Sequence, residues 1–121
     1  MCLRGASAFQ KLLEEQHASD VRVFVIWEPV LPSDLFAPST SSLNRISDAR
    51  ASQYWDKPRV VSRSMGEKDH DSIVWDIVAV YERGKFWEQA PPEPAYSGGA
   101  VVDVIDETRT AIRRELEATK K

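Results

Sequence analysis

The stretch from Val21 to Pro29 constrains the fold of this chain more than any other part of the sequence. Side chains alternate between the two faces of a strand, and here both faces are apolar. One face carries Val21, Val23, Val25 and Trp27, and the other carries Phe24 and Ile26. A strand that is apolar on both faces is typical of the interior of a sheet covered by helices. Pro29 ends the strand because it has no N–H to donate.

Amphipathic helices are predicted at both ends of the chain, because apolar residues recur there at helical spacing. The first covers residues 3 to about 18, and its apolar stripe consists of Ala6, Phe9, Leu12 and Leu13. The last follows the pair Gly98-Gly99, and its stripe consists of Val101, Ile105, Thr108, Ile112 and Leu116. Both helices are expected to cover the sheet.

The middle of the chain predicts a helix and an antiparallel pair of strands. Apolar residues from Leu43 to Tyr54 indicate a helix that runs to about Trp55. Arg59–Val61 is either a short strand or an extended connection. Ile73–Tyr81 is the second strongly apolar strand, a turn follows at Glu82–Lys85, and Phe86–Gln89 is the expected return strand. The predicted order is helix, strand, helix, strand, strand, helix.

Length and charge limit the class of protein. A chain of 121 residues predicts a single domain, 1–121, with one core. The net charge of −3 argues against a general nucleic-acid binder, which needs a basic surface. No apolar run reaches the length that spans a membrane, and no signal-like segment follows Met1. We therefore expect a soluble protein without nucleic-acid or membrane partners, and a cytoplasmic location is the default.

Cys2 is the single cysteine and the only strong nucleophile. It precedes the first predicted helix, where free N–H groups and the helix dipole favour a thiolate. The alternative is an ordinary thiol at a frayed chain end. One cysteine excludes an intrachain disulfide, and His17 and His70 lie too far apart to suggest a zinc site. The sequence predicts neither a metal nor a cofactor.

Each of the four tryptophans is followed by an acidic residue. Glu28 follows Trp27 at the carboxyl end of the central strand, where open α/β sheets place their ligands. Glu28 and Asp56 could therefore face one crevice, as a general base or as ligands of a hard cation. The alternative is that the tryptophans fill the core while the acids face water or pair with Arg50 and Arg59.

Several segments together resemble a little-described bacterial branch of the thioredoxin-like superfamily. They are Cys2-Leu-Arg-Gly, Val-Phe-Val-Ile-Trp-Glu-Pro-Val-Leu-Pro-Ser-Asp, Ile46-Ser-Asp-Ala-Arg-Ala-Ser-Gln-Tyr-Trp-Asp56, Val74-Trp-Asp-Ile-Val-Ala-Val-Tyr81 and Gly-Gly-Ala-Val-Val-Asp103. The resemblance implies a thioredoxin-like α/β fold that lacks its first strand, since the family's attacking cysteine and the strand before it would precede Met1. Cys2 then matches the resolving cysteine of a Cys-x-x-Cys pair.

The resemblance implies a thiol–disulfide role through Cys2, with a protein disulfide or a small thiol as partner. A lone resolving cysteine is not expected to sustain dithiol catalysis, so the alternative is a non-enzymatic binding or scaffold module. The missing strand would lie between the strands at Val21–Trp27 and Ile73–Tyr81. Either these two strands pair directly and antiparallel, or a strand from another chain fills the space, because unpaired strand edges are unfavourable.

Overall fold

The computed structural model of this chain describes residues 3–31, 33–34 and 36–118. Helices and short strands are mixed along it, so the predicted α/β class is confirmed. The elements are α1 (Leu3–Glu15), β1 (Val23–Trp27), α2 (Thr40–Leu43), β2 (Ala51–Trp55), α3 (Val60–Ser64), β3 (Ile77–Val80), β4 (Tyr96–Gly99) and α4 (Ile105–Ala118). Two 3-10 turns lie at His70–Ser72 and Val101–Val104.

Helix α1 follows the predicted apolar stripe. Ala6, Leu12 and Leu13 are buried, and Phe9 packs against them from a partly buried position. The helix ends at Glu15 rather than near residue 18. Arg50, which precedes β2, donates to backbone carbonyls at and just beyond this end.

The helix predicted up to Trp55 is wrong: only Thr40–Leu43 is helical, and Ala51–Trp55 forms β2. Strands β1 and β2 pair in parallel, with Val23 opposite Ala51 and Trp27 opposite Trp55. The chain between them contains α2 and is long enough for the crossover that parallel strands require.

Gln53 explains why β2 does not read as a strand in the sequence. Its side chain shares a face of the sheet with Trp27, and its Oε1 accepts a hydrogen bond of 2.9 Å from Trp27 Nε1. Its Nε2 donates to the carbonyls of Leu43 and Ile46, at 2.9 Å each. An inward position of β2 is therefore filled by a hydrogen-bonded amide, which interrupts the apolar alternation.

The second sheet also differs from the expected one. Strand β3 is shorter than Ile73–Tyr81, and it pairs antiparallel with Tyr96–Gly99 rather than with Phe86–Gln89. Gly99 allows this pairing, because a Cβ at Gly99 would lie 2.4 Å from the carbonyl oxygen of Asp76. The turn predicted at Glu82–Lys85 is present, since Lys85 N–H donates to the carbonyl of Glu82 at 3.3 Å and Gly84 has a φ of 84°. The predicted return strand at Phe86–Gln89 is wrong.

The expected element order needs correction, because β2 and α3 both enter the middle of the chain. Arg59–Val61 is not extended, since α3 begins at Val60. Within the residues that the structure describes, β1 pairs with β2 alone and β3 with β4 alone. Direct antiparallel pairing of β1 with β3 is thus not found. Over the same residues, no helix combines the length and apolarity needed to cross a bilayer.

The core lies between α1 and one face of the β1–β2 sheet. Its buried cluster consists of Ala6, Leu13, Trp27 and Ile46. Val23, Val25 and Trp55 pack against it from partly buried positions. The odd-numbered side chains of β1 therefore face the core, and the even-numbered ones lie on the opposite, outer face of the sheet.

Candidate functional site

Glu28 and Asp56 meet where the two parallel strands end. Trp27 and Trp55 are register partners, and Asp56 N–H donates to the carbonyl of Trp27 at 2.8 Å. The residues that follow the two tryptophans therefore lie side by side, and their carboxyl groups share a hydrogen bond. The structure thus brings together two of the four Trp–acid pairs, as the crevice hypothesis required. Neither acid pairs with Arg50 or Arg59 in the way that the alternative proposed.

The two carboxyl groups of this pair have opposite electrostatic properties. Burial and the hydrogen bond with Asp56 raise the pKa of Glu28 from 4.5 to about 7, although the N–H of Ser62 opposes the increase. Burial also tends to raise the pKa of Asp56, but hydrogen bonds from Glu28, Val61 and Val60 outweigh it and hold that pKa below its ordinary value. Below about pH 7 the pair therefore holds one proton, on Glu28.

The same carboxyl groups cap helix α3. Asp56 Oδ1 accepts from Val60 N–H at 3.0 Å, and Asp56 Oδ2 accepts from Val61 N–H at 2.8 Å. Glu28 Oε2 accepts from the next amide, Ser62 N–H, at 3.1 Å. Three of the four free N–H groups at the start of the helix are thereby satisfied. This explains locally why a helix starts at Val60.

Arg59, Ser62 and Glu67 form a second set of polar contacts next to the carboxyl pair. Arg59 pairs with Glu67 at 2.9 Å and also donates to the carbonyl of Pro29 at 3.2 Å. Ser62, only 1% exposed, donates to Glu67 Oε1 at 2.9 Å and accepts from Val74 N–H at 2.8 Å. Arg59 is the first cause of the lowered pKa of Glu67. The guanidinium of Arg59 is therefore paired with Glu67 rather than with the carboxyl pair.

The capping contacts define what the carboxyl pair can do chemically. Its oxygens accept hydrogen bonds from amides of α3 and share one proton. Because the pKa of Glu28 is about 7, the pair can gain or lose this proton near neutral pH. Among the described residues, no group of three or more histidine, cysteine, aspartate or glutamate side chains could hold a metal ion. The arrangement thus fits a titrating helix cap more closely than a cation site.

The outer face of the β1–β2 sheet is the least expected surface of the molecule. Phe24 is 66% exposed and Tyr54 is 52% exposed, and Ile26, the register partner of Tyr54, lies on the same face. A strand that is apolar on both faces was predicted to be interior, so the exposure of this face corrects that prediction. The sequence indicates an apolar strand face through Phe24 and Ile26, but it places Tyr54 in a predicted helix.

One edge of β1 is open as well. Val23 N–H donates to the carbonyl of Arg50 at 3.1 Å, and the carbonyl of Trp27 accepts from Asp56. In a parallel pair, alternate residues direct their backbone groups to the partner strand, so the odd-numbered residues of β1 bind β2. Phe24 and Ile26 direct their N–H and C=O groups to the other edge, with which no strand pairs in the described part of the chain.

Cys2 lies outside the described residues, so its placement is not part of the site geometry. Helix α1 begins at Leu3, immediately after it in the sequence. A cleft of about 360 Å³ lies at this end of α1, lined by Leu3, Arg4, Gly5, Asp76, Ala100 and Asp103 among others. Asp76 Oδ1 accepts from Val101 N–H at 3.0 Å in this region.

Comparison with models of protein families, with curated proteins and with solved structures gives no match.

Proposed function

We propose that this chain is a non-enzymatic binding module that accepts an extended segment of another polypeptide on the open edge of β1. One observation carries the proposal: a strand that is apolar on both faces has an exposed outer face and an edge with which no strand pairs among the described residues. Open, apolar strand edges are the surfaces on which peptides add as further strands. Catalysis would need a nucleophile or a free base, whereas this binding mode uses the backbone groups and the outer-face side chains of β1.

 The backbone groups of Phe24 and Ile26 would supply the hydrogen bonds, and side chains on the outer face would supply apolar contact.

The backbone groups of the edge and the side chains of the outer face define the kind of segment that fits. The edge offers backbone N–H and C=O groups at alternate residues, so its occupant must be extended for about five residues to match β1. The outer face places Phe24, Ile26 and Tyr54 beside the added strand. An occupant with apolar residues at every second position would cover this face while its other side chains point away from it.

A peptide library displayed on phage tests this proposal with the purified chain as bait. We expect selected peptides to alternate apolar and polar residues and to lose binding to the Phe24→Pro variant. Proline at this position removes an edge N–H that makes no bond to β2, so the sheet itself is retained. Phe86→Pro is the matched control, because Phe86 is 79% exposed and lies outside the strands. Peptides that bind Phe24→Pro as well as the unmodified chain would contradict the proposal.

A thiol–disulfide role through Cys2 in a thioredoxin-like fold is the second candidate. It is supported by the resemblance and by the start of α1 at Leu3, which puts Cys2 next to the helix N-terminus in sequence. Titration of the thiol should then give a pKa below about 8.5. The chain should form mixed disulfides with small thiols but not turn over an insulin-type disulfide. A pKa at or above that of free cysteine would remove this candidate. Multiple turnovers that are lost in Cys2→Ser would contradict the expectation that a lone cysteine does not sustain catalysis.

A further inference from the structure

Groups of opposite charge lie at the two ends of the open edge. Arg22 is exposed directly before β1, and in the described part of the chain no ion pair involves it. The Glu28–Asp56 pair lies directly after β1 and carries one negative charge below about pH 7 and two above it. Among the same residues, neither carboxyl group forms an ion pair with a basic side chain. The edge between Arg22 and this pair is apolar. A partner that completes it must therefore bring an acid to one end and a base to the other.

A second copy of this chain meets that requirement. We propose that β1 pairs antiparallel with β1 of another copy about a twofold axis at Val25, which joins two β1–β2 sheets into one four-stranded sheet. This inference rests on the proposed function and names the occupant of the edge. In this register Phe24 lies opposite the other copy's Ile26, and Arg22 lies opposite the other copy's Glu28. A twofold axis makes each contact occur twice.

The direction of the backbone groups agrees with this register. Phe24 and Ile26 both direct their N–H and C=O groups to the open edge, so they can form the hydrogen-bonded pairs of an antiparallel ladder. Val25 then faces itself across the axis as a non-hydrogen-bonded pair, with Cα atoms about 4.5 Å apart. Moving the axis to Phe24 would place Arg22 opposite Ile26. Moving it to Ile26 would place Phe24 opposite Glu28, so only the Val25 axis matches both charge and apolar contact.

Analytical ultracentrifugation of the full chain tests the partner, at a pH above the Glu28 pKa of about 7. We expect a reversible dimer, and we expect Arg22→Glu to weaken it at least about tenfold because like charges then face each other. Arg114→Glu is the control, since Arg114 is an exposed arginine on α4. A chain that stays monomeric at every concentration would overturn the inference. Peptide binding to the edge of such a monomer would still support the proposed function.

Cross-linking tests the register. In a Cys2→Ser background, Val25→Cys should form an intermolecular disulfide under mild oxidation, because the predicted Cα separation lies within the range that a disulfide spans. Ser52→Cys, on the exposed face of β2 away from the axis, is the control and should remain largely monomeric. A dimer in which Val25→Cys does not cross-link, or in which Ser52→Cys cross-links equally well, would contradict pairing through β1.

Discussion

The carboxyl groups of Glu28 and Asp56 share a hydrogen bond at the ends of two strands whose last residues, Trp27 and Trp55, are register partners. The pairing of β1 with β2 therefore decides which two acids meet. It also directs both acids to the amides at the start of α3. The cap of α3 and the shared proton therefore both depend on the pairing of β1 with β2.

The raised pKa of Glu28 predicts how stability depends on pH. The folded chain keeps this proton up to about pH 7, whereas the unfolded chain loses it near 4.5. The contribution of Glu28 is therefore complete below the unfolded pKa and falls as pH rises to about 7. Glu28→Gln retains a donor for Asp56 and an acceptor for Ser62 N–H. After allowance for solvent screening, it should raise the free energy of unfolding by about 1–2 kcal/mol at high pH.

Urea denaturation of both proteins at about pH 5 and about pH 8 measures this effect. The difference between Glu28→Gln and the unmodified chain should grow in favour of the variant as pH rises. An equal loss of stability at both pH values would contradict a shared proton, because it would mean that an ionised Glu28 stabilises the fold.

Asp56→Ala should destabilise the chain through loss of the α3 cap. The amides of Val60 and Val61 would lose their acceptor, which costs about 1–2 kcal/mol in comparable helix caps. The pKa of Glu28 should fall toward its ordinary value, because its hydrogen-bond partner and a neighbouring negative charge are both removed. Urea denaturation and a carboxyl NMR titration measure the two effects. Asp103→Ala, at an exposed position outside this site, is the control and should change neither.

Ser62→Ala tests the buried contacts behind the carboxyl pair. It removes the acceptor of Val74 N–H and a donor to Glu67, so we expect a loss of about 1–3 kcal/mol in the free energy of unfolding. Ser64→Ala is the matched control on the same helix, because the Ser64 hydroxyl is exposed and donates only to the carbonyl of Val60. Similar denaturation midpoints for both variants would show that the Ser62 contacts contribute little.

Arg50→Met should be the most damaging of these changes. The guanidinium donates to the carbonyls of Leu13, Gln16 and Ala18 at 2.6–2.9 Å and pairs with Asp48 at 2.8 Å. Its hydrogen bond is the first cause that lowers the pKa of Asp48 to about 2. Loss of a partly buried charge and its partners predicts about 3 kcal/mol of destabilisation in urea.

Arg114→Met is the control for that measurement, because it removes an exposed arginine from α4. We expect it to change the free energy of unfolding by less than about 0.5 kcal/mol. If the two arginine variants unfold at the same urea concentration, Arg50 does not hold the end of α1 to the start of β2.

The sequence predicts the elements whose apolar residues follow one period. Helix α1 and strand β1 are found where their patterns placed them, and Thr108 and Ile112 on α4 are buried as expected. Strand β2 was missed because Gln53 occupies an inward position and its hydrogen bonds to distant groups are not visible in the sequence. Strand β4 was missed because its glycines have low strand propensity, while Gly99 is needed for close backbone approach.

The candidate site was predictable only in part. The positions of Glu28 and Asp56 after tryptophans suggested a common crevice, and the parallel pairing brings them together. The sequence does not predict their use as a helix cap, because it predicts an extended Arg59–Val61 where α3 begins at Val60. The apolar pattern of β1 does not show which edge of the strand is paired. Only the resemblance, through its missing strand, implied that Val21–Trp27 has an edge without a partner in this chain.

Amide hydrogen exchange along β1 is the most direct test of the open edge. The amides of Val23 and Val25, which face β2, should be protected at all protein concentrations. The amides of Phe24 and Ile26 should exchange rapidly in dilute solution and become protected as concentration rises and a second copy binds. Strong protection of Phe24 and Ile26 in the dilute monomer would contradict the account, because it would mean that this edge is already covered within one chain.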